Sequence, residues 1–228
     1  MFSLNSVLSQ ENTVEEILIK AQGVINNQNN LSCDLKYNYY TSYDSSKPYQ
    51  SHNGRLVKNL NNFLLKIHST IFLSDQLNNM SLKLNEDQKA MVVSKSNINL
   101  DQANPIDNTQ LLKQFKTYKL IENKNYWICV FIAPDITQLP YSKIEVEINK
   151  TNFLVNKQTL YFSARMPYFD DENNEKYGNP KLEIIMSNFK NSITVEEKNK
   201  TNIKSFININ PNKISGKNQY KDYTVIEN

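Results

Sequence analysis

Two histidines, His52 and His68, and two cysteines, Cys33 and Cys129, make up the whole complement of imidazoles and thiols in this chain. A zinc site takes three or four N, S or O ligands at suitable spacing. No C-x-x-C and no H-E-x-x-H occurs, so no metal is expected. The cysteines sit in apolar strand-like runs, where they are either buried free thiols or one disulfide in an oxidising compartment. Asp170, Asp171, Glu172 and Glu175 form the main acidic cluster. Paired carboxylates can do glycosidic acid–base work, but these stand among asparagines in the stretch Tyr168 to Asn179 and read as a solvated loop. Asp75 stands alone. With only four glycines in the chain, there is no nucleophile elbow, P-loop or dinucleotide fingerprint. The expectation is a protein with no catalytic residues and no cofactor.

Composition narrows the class further. The chain has 228 residues and a net charge of +3, and two of its 26 basic residues are arginine. A nucleic-acid surface usually shows a basic stripe rich in arginine, so that partner is not expected. Asparagine is abundant, at 35 residues, and with Lys, Ile and Tyr it points to AT-rich codons rather than chemistry. Thirteen Tyr and ten Phe supply material for a core. No stretch approaches the ~20 apolar residues of a membrane helix. Residues 1–10 are semi-apolar and end in small residues, as in the remnant of a secretory signal peptide or in a disordered leader.

The elements that would position an apolar site are easier to read. Thr13 and Glu16 form a T-x-x-E capping box. Behind it Val14, Ile17, Leu18, Ala21, Val24 and Ile25 recur at helical spacing to about Asn27. Leu31 to Tyr43 then alternates with period two, and short strands separated by tight turns continue to Ser94, as in an antiparallel meander. Asp107 can cap a second helix running to about Tyr118, with Leu111, Leu112 and Phe115 on one face. Strands resume from Asn125 and continue through Lys181 to Phe189, with Phe206, Ile207 and Ile209 before Pro211 as a last edge segment. About eleven strands with one apolar face and two amphipathic helices predict a mainly β fold. We expect a strongly curved antiparallel half-barrel sheet with helices covering its concave side. The domain should span 11–210, with 211–228 a loose C-terminal segment.

The order helix, meander, helix, meander resembles the outer-membrane lipoprotein carrier proteins, the LolA-like family. TVEEILIK (Thr13 to Lys20) resembles its opening helix, and HNGRLVKNLNNFLLKI (His52 to Ile67) its paired strands. IFLSDQLNNMSLKL (Ile71 to Leu84) with Asn85 to Ser94 resembles its strand, turn and hairpin, and LEIIMSN (Leu182 to Asn188) its late strand. The resemblance implies a monomeric periplasmic chaperone that carries lipoprotein acyl chains or other lipid in an apolar cup. It also implies an inner-membrane releasing complex and an outer-membrane acceptor as partners. Where the family's carriers have a lid-tethering arginine after x-V-K, this chain has Asn59, so that contact does not carry over. The alternative is the same fold with a filled interior, serving as a protein-binding or assembly module through surface tyrosines such as Tyr39, Tyr40 and Tyr43.

Strand parity then names the lining of the cup. Leu35, Tyr37, Phe63, Leu65, Ile67, Leu82, Leu84, Ile144, Val146, Ile148, Leu182, Ile184 and Met186 are expected to face one interior and to bind lipid. Leu111, Leu112 and Phe115 from the second helix should join them.

Overall fold

In the computed structural model, which describes residues 13–95, 108, 110–210 and 213–228, the helix α1 (Val14–Asn26) opens the fold. Its capping box is closed in both directions: the Glu16 N–H donates to Thr13 Oγ1 and the Thr13 N–H to Glu16 Oε2, each at 3.2 Å. Its buried side chains are Val14, Ile17, Leu18, Ala21 and Ile25. Of the stripe expected from the sequence, Val24 alone is only half-buried.

A meander follows: β1 (Asn30–Tyr40), β2 (Gln50–Asn59), β3 (Asn62–Ile67), β4 (Thr70–Asp75), β5 (Met80–Asn85) and β6 (Ala90–Ser94). After one helical turn, α2 (Leu111–Gln114), come β7 (Thr117–Glu122), β8 (Tyr126–Ile132), β9 (Tyr141–Asn149) and β10 (Val155–Phe162). A hairpin, β11 (Met166–Phe169) and β12 (Glu175–Gly178), precedes β13 (Lys181–Lys190). The chain closes with α3 (Val195–Lys200), the pair β14 (Ile207–Asn210) and β15 (Lys213–Gly216), and β16 (Thr224–Glu227).

Twelve strands form one sheet in the order β16-β6-β5-β4-β3-β2-β1-β13-β10-β9-β8-β7. The sheet is curved and not closed into a barrel. It is antiparallel except where β16 runs parallel to β6. With few glycines available, the tight turns of the meander place Leu60, His68, Asn79 and Lys89 at φ between 48° and 55°.

Three sequence expectations need correction. The second helix does not reach Tyr118. Phe115 is already extended (φ −111°, ψ 120°), and Thr117–Glu122 is a strand rich in β-branched and aromatic residues; Asp107 lies outside the described residues. The acidic stretch is the β11–β12 hairpin rather than a plain loop. Residues 213–228 are not loose, because β16 extends the main sheet and β15 pairs with β14.

The sheet is covered on both faces. We call the face that carries α1 the inner face. There, the side chains of α1, Leu111 and Phe115 pack on β1, β2, β3, β8, β9, β10 and β13. On the outer face, a C-terminal cover of Ile203, Phe206, Ile207, Ile214 and Tyr220 packs on Val57, Leu64, Leu73, Leu82, Leu84 and Met91. Two polar fasteners hold that cover. The Arg55 guanidinium bonds Asp34 (2.7 Å), Glu197 (2.9 Å) and Ser32 Oγ (2.8 Å). The fully buried Asp75 carboxylate accepts from the Ile203 N–H (2.9 Å), Asn62 Nδ2 (3.1 Å) and Asn78 Nδ2 (2.7 Å). A buried carboxylate needs such donors to offset its lost hydration.

Candidate functional site

The inner face is built from rows of side chains that run across strands. One row reads Tyr37, Ile184, Gln158, Val146, Cys129, Leu120, from β1 through β13, β10, β9 and β8 to β7. The next reads Tyr39, Leu182, Leu160, Ile144, Phe131, Tyr118 along the same six strands. The polar interruption is Gln158, whose amide donates to Asn108 Oδ1 at 2.8 Å inside the protein. Gly54 opens room on β2. A Cβ there would stand 2.8 Å from the Lys66 carbonyl and 3.2 Å from the Tyr37 ring, so the ring lies against bare backbone. Burial pushes the Tyr37 phenol above its ordinary range.

Of the residues expected to line a cup, Leu35, Leu65, Ile144, Val146, Ile148, Ile184, Met186, Leu111 and Phe115 are buried together on this face. Tyr37, Ile67, Leu112 and Leu182 are half-buried against them. Phe63 is half-buried and shares the parity of Leu65. Leu82 and Leu84 do not face this interior; they belong to the outer cluster. The register explains it: Leu82 stands beside Leu73, which stands beside Leu64, one residue off the inward Leu65. Parity groups residues on a face, but register decides which face that is. The inner face also holds Trp127, Cys129, Phe131, Tyr118 and Leu120. The run YWICVFI in β8 is apolar at every position but its first, Tyr126, so alternation cannot separate its faces.

The face is filled. Ile17 and Ile148 have no exposed surface, and Leu18 retains 2%. α1 is fastened at both ends: the Tyr118 hydroxyl donates to the Glu15 carboxylate, and the Lys58 ammonium donates to the main-chain oxygens of Gln28 and, at 3.5 Å, Asn26. Burial lowers the Lys58 pKa. Between those ends the helix meets the sheet through apolar side chains.

The chemistry-bearing residues lie elsewhere. Cys33 and Cys129 are free and buried, and burial above all raises each thiol to about 12. The two histidines, His52 on β2 and His68 in the β3–β4 turn, meet with ring centroids 5.2 Å apart. Among the described residues no group of three or more His, Cys, Asp or Glu could hold a metal ion. Asp170 spends its carboxylate on the hairpin turn, accepting from the N–H groups of Asn174 (2.8 Å) and Glu172 (3.0 Å). A polar groove of about 600 Å³ runs between the β2–β3 turn and the C-terminal cover. Two of its amides are engaged internally, Asn59 with Thr201 Oγ1 (2.8 Å) and Asn62 with the Thr201 carbonyl (2.9 Å).

No family model matches the chain, and no curated protein matches it in sequence. Solved structures are similar to it in structure. One is a LolA superfamily protein from Nitrosomonas europaea, at 12% identity over 82% of this chain and 97% of that one, with a TM-score of 0.37. Another is an outer membrane lipoprotein-sorting protein domain from Vibrio parahaemolyticus, at 10% identity over 82% and 96%, with a TM-score of 0.36. The MucA/MucB complex of Pseudomonas aeruginosa is similar at 12% identity over 81% and 59%, with a TM-score of 0.34. No helix among the described residues is long and apolar enough to cross a membrane.

Proposed function

We propose that the protein is a non-enzymatic carrier of the bacterial periplasm that binds acyl chains of lipoproteins or other lipids on the inner face, beneath α1. The observation that carries this reading is the two apolar rows spanning six strands, interrupted by one satisfied amide. Shielding an acyl chain needs apolar area and little polar chemistry. The sequence resemblance adds the compartment, a releasing complex at the inner membrane and an acceptor at the outer one.

A ligand must displace α1 to reach the face, and magnitudes say which ligands can. Val14, Ile17, Leu18 and Ile25 together contribute roughly 6–12 kcal/mol of burial, at ~1.5–3 each. An eight-carbon chain offers only about 6 kcal/mol at ~0.8 per CH₂, and a sixteen-carbon chain about 12. Uptake should therefore rise steeply with chain length over that interval.

A second reading is favoured by the near-complete burial of the sheet-facing side chains of α1, Val14, Ile17, Leu18, Ala21 and Ile25: the interior is a permanent core and the sheet serves as a protein-binding or assembly module in the cell envelope. Native mass spectrometry of protein purified from its host, with fluorescent fatty-acid titration, separates the two. Co-purified lipid and chain-length-dependent uptake support carriage. Neither lipid nor uptake leaves the module.

A further inference from the structure

The two edges of the sheet are treated differently. At one edge, β15 lies beside β16, and the Ile214 N–H donates to the Glu227 carboxylate at 3.0 Å. At the other, no described strand lies beyond β7. The Asn123 N–H donates to the Tyr126 carbonyl at 3.0 Å where β7 turns into β8. That sets the mutually bonded pairs of the ladder at Ile121–Ile128, Lys119–Val130 and Thr117–Ile132. Tyr118, Leu120 and Glu122 alternate with them, and so aim their N–H and C=O groups away from β8, over the open edge.

Basic side chains outnumber acidic ones around this edge. Lys113, Lys116, Lys119 and Lys124 are all exposed. The nearby carboxylates are engaged: Glu122 with Lys150 at 2.7 Å, and Glu15 with the Tyr118 hydroxyl. Lysines on an edge disfavour pairing with another copy of the same edge, because like charges would then meet. The same lysines attract a strand of opposite charge.

We propose that the β7 edge is a docking site for an extended acidic segment of a partner protein, which adds to the sheet as a further antiparallel or parallel strand. Main-chain hydrogen bonds to Tyr118, Leu120 and Glu122 would supply the attachment. Alternate side chains of the segment would fall beside Tyr118 and Leu120 on the inner face and beside Lys119 on the outer face. The recognised pattern is therefore apolar residues alternating with Asp or Glu. This inference rests on neither reading of the interior.

The test uses the full chain and a fluorescein-labelled ten-residue peptide alternating glutamate with valine, followed by anisotropy. A lysine–valine peptide and a block peptide of the same composition as the first serve as comparisons. The alternating acidic peptide should bind, weaken as salt shortens the screening length from ~30 Å to ~8 Å, and slow hydrogen exchange at the amides of Tyr118, Leu120 and Glu122. The double variant Lys116→Glu, Lys119→Glu should reduce its affinity at least ~10-fold and favour the lysine peptide. Leu120→Pro, which removes one outward N–H, should reduce binding more than Leu120→Ala, which loses similar packing. Absence of binding, equal binding of the acidic and basic peptides, or binding without protection of those three amides would overturn the proposal. So would charge reversal without effect.

Discussion

Leu64 and Leu65 are neighbours in the chain and belong to different cores. Leu65 packs under α1 with Leu56 and Leu35, and Leu64 packs under the C-terminal cover with Val57 and Leu73. β3 is therefore a wall shared by two apolar compartments. Leu64→Ala and Leu65→Ala should each destabilise by roughly 2–5 kcal/mol, read from denaturant midpoints. If the inner face takes lipid, Leu65→Asn should lower fatty-acid uptake and Leu64→Asn should not, compared at equal folded fraction. Ile144→Asn and Ile184→Asn repeat the inner arm on distant strands. Wild-type uptake by all three well-folded inner variants would leave the inner face as packing alone.

The ion pairs at Arg55 make the C-terminal cover acid-sensitive. The Asn188 amide, followed by Arg55, holds the Asp34 carboxyl below its ordinary range. Burial pushes Glu197 up, but the Thr194 main chain and Arg55 outweigh it and hold it low. Carboxylates depressed in the folded state add stability above their unfolded pKa of ~4, and that stability is lost as pH falls through the folded values. The Tm should be level from about pH 7 to 5 and decline below ~4. Arg55→Met should lower Tm at neutral pH by about 2–4 °C, since partly exposed pairs are worth about 1 kcal/mol in sum, and should flatten the acid decline. An unchanged acid limb in that variant would assign the decline to other carboxylates.

Leu60 spans the β2–β3 turn at φ 55° with half its surface exposed. A side chain in the left-handed region costs ~1–2 kcal/mol, offset in glycine by its larger unfolded entropy. Leu60→Gly should therefore stabilise by about 0.5–1 kcal/mol and raise Tm by ~1–4 °C. A fall in Tm would mean the Leu60 side chain contributes more than its exposure suggests.

Cys33 and Cys129, buried and with pKa values raised to about 12, offer almost no thiolate at pH 8. Alkylation by iodoacetamide should be negligible in the native protein and reach two per chain in denaturant. Labelling that does not rise on unfolding would indicate oxidation instead.

The sequence reading was strongest where local signals agreed with packing. TVEE at Thr13 is followed by an apolar stripe, and α1 forms there. The same four letters recur at Thr194, where the capping box again closes. The six residues of α3, VEEKNK, bury no side chain, so periodicity carries no trace of that helix; its anchor is the bond from Glu197 to Arg55, 142 residues away. The meander turns were legible from Asn, Asp and Ser clusters. The sidedness of β5 was not, because Leu82 and Leu84 alternate cleanly with Ser81 and Lys83 yet face a cover made by residues beyond 200. The inward aromatics of β8 were hidden by its unbroken apolar run.

The parallel pairing of β16 with β6 sets an order of events during synthesis. The strands from β1 to β13 emerge first, from the ribosome or from the export channel of a secreted chain, and can complete the inner core, while Leu73, Leu82, Leu84 and Met91 wait uncovered for residues 203–220. A nascent chain that stalls before that point presents an apolar sheet face beside the unpaired strand β6, a combination prone to association. Holding such intermediates apart until the last strand arrives is a task for the chaperones of the compartment in which the chain folds, and it falls heaviest on chains truncated after β13.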